Sequence, residues 1–246
     1  MGRSDALAAA SDYFDSGAFR SDLARRVAYR TESQETASAP VLRSYLADEL
    51  LPAVARLGFT ARVLDNPVSG SGPMLVAQRH EAAGLPTVLC YGHGDVVRGY
   101  DEQWRKPLSP WSLAVEGERW YGRGTADNKG QHSIVLGALR SVLAARGGRA
   151  GFNAKLLIET GEEVGSPGLH AACSALRAEL AADVLIASDG PRLSAPQPTL
   201  FLGSRGSVNF TLTLRLREGG HHSGNWGGAL RNPASVLASA IASMVS

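Results

Sequence analysis

The chain has 246 residues, 25 of them basic and 23 acidic, for a formal net charge of +2. With 44% hydrophobic and 20% charged residues it has a globular composition, which excludes a disordered chain. The near-zero charge leaves no electrostatic case for nucleic acid or an anionic membrane as main partner, and two cysteines are too few for a disulfide scaffold or a thiolate zinc site.

The opening segment MGRSDALAAASDYFDSG carries Arg3, Asp5, Asp12 and Asp15, which break any signal-peptide core. Ala6 stands where a myristoylation pattern needs Ser or Thr. No stretch approaches the ~18–20 apolar residues that span a bilayer. A cytoplasmic protein with Cys90 and Cys173 reduced is the expectation.

Residues 18–29 and 40–57 are predicted amphipathic helices, the second with Val41, Leu42, Tyr45, Leu46, Leu50 and Val54 at helical spacing. Gly58 supplies its stop. A strand follows at about 59–64, then the turn-rich DNPVSGSGP, then a strand over MLVAQRH. TVLCY (87–91), a short apolar run between a proline and glycines, has the pattern of a buried strand. WSLAVEGERWYG predicts a hairpin turning at Glu116-Gly117, and QHSIVLGALRSVLAA a helix. Residues 153–160 are a predicted strand, 168–180 a helix, and 183–188 a strand. Strands alternating with helices imply an α/β fold with a mostly parallel sheet flanked by helices.

Ligands of such sheets bind beyond the carboxyl ends of the strands. There TVLCY runs into Gly92-His93-Gly94-Asp95, the strand at 153–160 into Gly161-Glu162-Glu163, and DVLIAS into Asp189-Gly190. The hairpin leads into GRGTADNKG, placing Asp127 just ahead of the helix. An aspartate before a helix is usually a cap, and a glutamate pair in a loop is usually solvated. Four segments converging on one sheet edge, each bracketed by glycines, are hard to explain as independent accidents. One imidazole with several carboxylates suits zinc, cobalt or manganese. A carboxylate shared by two ions would hold them roughly 3.5–4 Å apart. Asp95, two residues beyond His93, could orient the imidazole from behind.

GHGDVV, GRGTADNKGQ, ETGEEVGSPG, SDG and HHSG, in this order and spacing, resemble the aminoacylase–carnosinase superfamily of di-zinc metallopeptidases, family M-twenty. The resemblance implies that His93 binds one zinc, Asp95 supports it, and Asp127 bridges two ions. It makes Glu162 the general base, and Glu163 and Asp189 metal ligands. It divides the chain into a catalytic domain (1–202) and the beginning of an inserted α+β lid and dimerisation domain (203–246). The first lid strand would lie in LFLGSRGSVNFTLTLRLRE, where Val208, Phe210, Leu212, Leu214 and Leu216 alternate. His222 matches the lid histidine that helps hold the substrate carbonyl or oxyanion, with His221 as the alternative. The family's last zinc-binding histidine has no counterpart here, since no histidine follows His222. The expectation is the amino-terminal portion of a longer enzyme, or a shortened relative.

The implied activity is hydrolysis of peptide or amide bonds in small peptides by a zinc-activated water, in a protein that forms a homodimer when full length. The alternatives are an N-acyl-amino-acid deacylase of the same family and a shortened, non-catalytic relative used for assembly. A serine hydrolase would need a G-x-S-x-G elbow, which is absent. His80-Glu81 begins like a zincin motif but lacks the second histidine, and no G-x-G-x-x-G follows a strand.

Overall fold

A computed structural model describes residues 2–190, 192–194, 196–203 and 205–245. They fall into two compact units, 1–195 and 196–246. The first unit begins with α1 (Arg3–Asp15), α2 (Ala18–Ala28) and α3 (Ala39–Ser44), then a π-helical stretch (Tyr45–Leu50) running into α4 (Leu51–Ala55). Pro52 cannot donate to the carbonyl four residues back, so the regular ladder is interrupted there, and the wider π turn lies just before it. Gly58 then ends the helical run at φ +77°, a conformation that favours glycine.

Five strands form the sheet: β1 (Thr60–Leu64), β2 (Met74–Arg79), β3 (Thr87–His93), β6 (Asn153–Glu159) and β7 (Val184–Ala187). Their order is β1-β2-β6-β3-β7. Only β2 is reversed: it pairs antiparallel with both β1 and β6, while β6, β3 and β7 run parallel. A two-stranded hairpin, β4 (Ala114–Glu116) and β5 (Arg119–Tyr121), stands apart from it. Glu116 pairs with Arg119, so its turn is Gly117-Glu118, one residue beyond the predicted position. Gly117, at φ +59°, takes the turn position that excludes most side chains.

The alternation of side chains along the strands builds two apolar layers. Leu75 and Ala77 of β2, with Ala154, Leu156 and Ile158 of β6, pack against Tyr45, Leu46, Leu50, Val54 and two leucines of α5 (Lys129–Ala145), Leu136 and Leu139. Met74, Val76 and Leu157 face the other way, toward Leu180 and the partly buried Leu169, Ala172 and Leu176. Leu169 and Ala172 belong to α6 (Leu169–Ala175) and Leu180 to α7 (Arg177–Leu180), two helices separated at Leu176 where the sequence predicts one. Fully burying a leucine is worth about 1.5–3 kcal/mol, so strands covered on both faces read as unbroken apolar runs. Cys90 and Cys173 form no disulfide.

The second unit contains α8 (Ser223–Trp226) and α9 (Pro233–Val245). The alternating residues 205–216 do not form the predicted strand, and Val208, Phe210, Leu212 and Leu216 are exposed. A strand exists through hydrogen bonds to a neighbour, and no described segment pairs with this one. Among the described residues no helix is long and apolar enough to cross a membrane.

Candidate metal centre

The parallel strands deliver their carboxyl ends to one edge. His93 closes β3 in register with Glu159 at the end of β6, and β7 leads through Ser188 to Asp189. Asp127 stands two residues ahead of α5. The close approach at this edge depends on Gly94, where a Cβ would lie 2.7 Å from the Tyr45 ring.

His93 is fully buried, and its Nε2 is 2.9 Å from Asp127 Oδ1 and 3.9 Å from Asp189 Oδ2. Ligand atoms of these three residues all lie within 4.8 Å of one another. Donors each about 2.0–2.2 Å from a zinc ion lie up to about 4 Å apart, so the three fit one divalent cation after small side-chain adjustments. Glu162 Oε2 is 3.8 Å from the same ring nitrogen.

Behind the ring, Asp95 is also fully buried. His93 Nδ1 lies 3.3 Å from its Oδ1 and 3.1 Å from its carbonyl oxygen. The same carboxylate accepts the backbone N–H of Glu162 at 3.2 Å and that of Glu163 at 3.1 Å. One side chain therefore turns Nε2 toward the cluster and anchors the 3-10 turn Glu162–Val164 beside it.

Charge in the site follows from this packing. Burial works against a charged His93 ring, but the hydrogen bond and charge of Asp95, helped by Asp189 and Asp127, hold its pKa up at about 9. Burial raises the Glu162 carboxyl, and the charges of Asp189, Asp95 and Asp127 add to that against the opposing pull of His93. Glu163 is raised by burial and then by Asp127. The pocket favours positive charge at its centre, a need that a divalent cation or a proton on Nε2 can meet.

The sequence-predicted residues thus divide. His93, Asp127 and Asp189 form the tight group, with Asp95 behind and Glu162 alongside. Glu163 lies outside the group of three, held through its backbone. His222 belongs to the second unit, where it caps α8 by accepting the Gly224 N–H at Nδ1, 3.1 Å away. His221 packs near Trp226, ring centres 5.8 Å apart.

Three buried polar residues at this edge escaped the sequence reading. Glu159 accepts hydrogen bonds from the Tyr91 hydroxyl at 2.5 Å and Ser166 Oγ at 2.8 Å. Its signal was available, as a carboxylate ending the apolar run NAKLLIE. Lys129 Nζ donates to the Tyr29 carbonyl at 2.6 Å and stands 5.0 Å from the Tyr45 ring centre. Burial drives its pKa down to about 7 against the pull of Asp95 and Glu32. The third, Asn128, follows Asp127 and is wholly buried.

Residues 89–225 match peptidase family M20/M25/M40. The chain is 33% identical over 177 residues to the cysteinylglycine-S-conjugate dipeptidase of Corynebacterium striatum, covering 71% of this chain and 38% of that protein. It is 33% identical over 176 residues to the Beta-Ala-His dipeptidase of Mus musculus, covering 70% and 35%. The crystal structure of human carnosine dipeptidase 1 shares the fold, with a TM-score of 0.70 at 24% identity over 94% of this chain and 51% of that one. The chain spans little more than a third of the length of these curated relatives. The family match takes in the strand ends at His93 and Asp189 and everything between them, more than half of the sequence. The chain belongs to peptidase family M20/M25/M40.

Proposed function

We propose that the chain carries the catalytic centre of a metal-dependent hydrolase that cleaves peptide or amide bonds in small substrates, dipeptides foremost. The observation that carries this is the meeting of His93, Asp127 and Asp189 within 4.8 Å, with Glu162 3.8 Å from the same imidazole nitrogen. An imidazole and carboxylates without thiolate suit zinc, with cobalt or manganese as alternatives. A divalent ion bound there supplies Lewis-acid polarisation of the scissile carbonyl and a water more acidic than bulk.

The chain's own residues do the rest. Asp95 keeps Nδ1 of His93 occupied, so Nε2 faces the cluster. Asp127, Asp189 and Glu163 are the carboxylates that would hold the metal together with His93. Glu162, whose carboxyl burial and neighbouring charge shift toward neutrality, takes a proton from the attacking water and returns it to the leaving amine. Residues 1–202 form the catalytic domain in this reading, and residues 203–246 begin a lid and dimerisation domain. His222 is the residue assigned to the substrate carbonyl.

Metal analysis of the purified chain, joined to a screen of dipeptides and N-acyl amino acids on the full-length protein, tests the proposal. The expected result is zinc uptake that His93→Ala abolishes, with turnover of dipeptides. Turnover of N-acyl amino acids alone would assign a deacylase. Failure to take up metal would overturn the proposal and leave a non-catalytic relative.

A further inference from the structure

Asn128 sits where three ligand-bearing segments meet. It is covalently next to Asp127. Its Oδ1 accepts the backbone N–H of His93 at 3.3 Å, and its Nδ2 donates to the carbonyl of Ser188, the residue before Asp189, at 2.6 Å. The second hydrogen of Nδ2 goes to Gln131 Oε1 at 2.7 Å, and Gln131 Nε2 donates to the carbonyl of Gly190 at 3.1 Å. The residues on either side of Asp189 are thus tied to the segment that opens α5.

The amide is itself held. His132 Nδ1 lies 3.3 Å from Asn128 Oδ1, and His132 Nε2 is 2.6 Å from the Tyr45 hydroxyl. Burial, followed by the charges of Arg26 and Lys129, keeps His132 neutral. Asn128 Oδ1 can only accept, so the neutral ring donates from Nδ1 and accepts the Tyr45 hydroxyl at Nε2, which fixes the direction of the whole chain of bonds. Gly92 makes the room, since a Cβ there would lie 2.8 Å from Asn128 Oδ1. Every hydrogen-bonding atom of the Asn128 amide therefore has a partner, and two of its bonds end on backbone at ligand-bearing strand ends.

We infer that Asn128 is a positioning residue that sets the mutual distances of His93, Asp127 and Asp189, and so the affinity of the centre for a divalent cation. The inference rests on the metal-site reading above. The amide touches none of the three ligand side chains in its bonds to His93 and Ser188. It acts through backbone, which a carboxylate of the same shape cannot do, having no donor for the Ser188 carbonyl.

The test is a cobalt(II) titration followed by visible absorption, on the full chain and on Asn128→Ala, Asn128→Asp and Ser141→Ala. Ser141, buried in α5, donates to the Gly137 carbonyl and serves as a control for loss of an internal hydrogen bond. Partners behind metal ligands are worth about 10–100-fold in affinity. Asn128→Ala and Asn128→Asp are each expected to weaken cobalt binding by about that factor and to change the absorption band, with Ser141→Ala unchanged. The Asp variant separates positioning from charge, because added negative charge alone would tighten binding. Tighter or equal binding by Asn128→Asp overturns the inference, as does an equal loss in Ser141→Ala. If Asn128→Ala loses its far-UV circular dichroism, Asn128→Asp decides. Unfolding of both assigns the amide to the stability of the core and overturns the inference. No cobalt uptake by the natural chain overturns the metal-site reading, and the inference with it.

Discussion

Glu162 and Glu163 adjoin in sequence, and Asp95 holds both of their backbone amides, yet the proposed mechanism gives their side chains different tasks. In the complete enzyme, Glu162→Gln keeps size and shape but removes the group that the proposed mechanism needs to accept and return a proton. Turnover is expected to fall by at least about 10²–10⁴-fold with metal content nearly unchanged. Glu163→Gln should instead lower zinc stoichiometry, an amide being a poorer ligand than a carboxylate. Turnover and metal content measured on both variants check this, and loss of metal in Glu162→Gln alone would exchange the roles. At this scale the sequence showed what adjacency and glycine brackets can show: His93 with Asp95, Asp127 before a helix, and acidic groups at two further strand ends. It could not show that Asp95 also braces a turn 67 residues away, or that Asn128 reaches across 60 residues to Ser188. Those contacts depend on strand order, which no local pattern records.

Among the α-helices of the first unit, α1 has no predicted counterpart. None of its residues is buried, and its alanine-rich run has no apolar stripe to mark a face. It is held instead by ring contacts: Phe14 stacks on Trp120 at 5.5 Å, and Tyr13 lies beneath the Arg140 guanidinium of α5 at 4.4 Å. The Tyr13 hydroxyl also donates to Asp22 of α2. Burial and then this bond raise its pKa from 10.0 to about 12. The hydroxyl's contribution to stability is therefore complete below about pH 10 and disappears as pH climbs through about 12. Tyr13→Phe should cost about 0.5–1.5 kcal/mol at neutral pH. Urea unfolding of both proteins at several pH values should show the gap narrowing above pH 10. Residues 205–216 teach the converse lesson, since clean alternation marks a face but cannot supply a partner.

At the scale of the molecule, the fold class was legible because β2, β3 and β6 are covered on both faces and read as apolar runs. The single reversed strand was not legible, since β2 has the same composition whichever way it points. The candidate ligands come from the ends of β3 and β7 and the start of α5, so a cation there would tie three elements of the first unit together. Zinc at 100 times its dissociation constant should add about 2.7 kcal/mol of stability. In a unit of this size that is a rise of about 5–10 °C in the melting midpoint, reversed by a chelator. No shift on adding zinc would contradict the site.

The spacing of those ligands also bears on kinetics. His93 and Asp127 are 34 residues apart, and the parallel pairs β3–β6 and β3–β7 must close before Asp189 can join them. Such non-local pairing comes late on the way to the native state and makes folding slow. A cation that needs all three segments finds no binding place in the transition state, so its stabilisation falls on the exit path. Stopped-flow traces should show zinc leaving the refolding rate unchanged while slowing unfolding about a hundredfold at 100 times its dissociation constant. The metal would then act as a latch on a finished fold, with no part in assembling it.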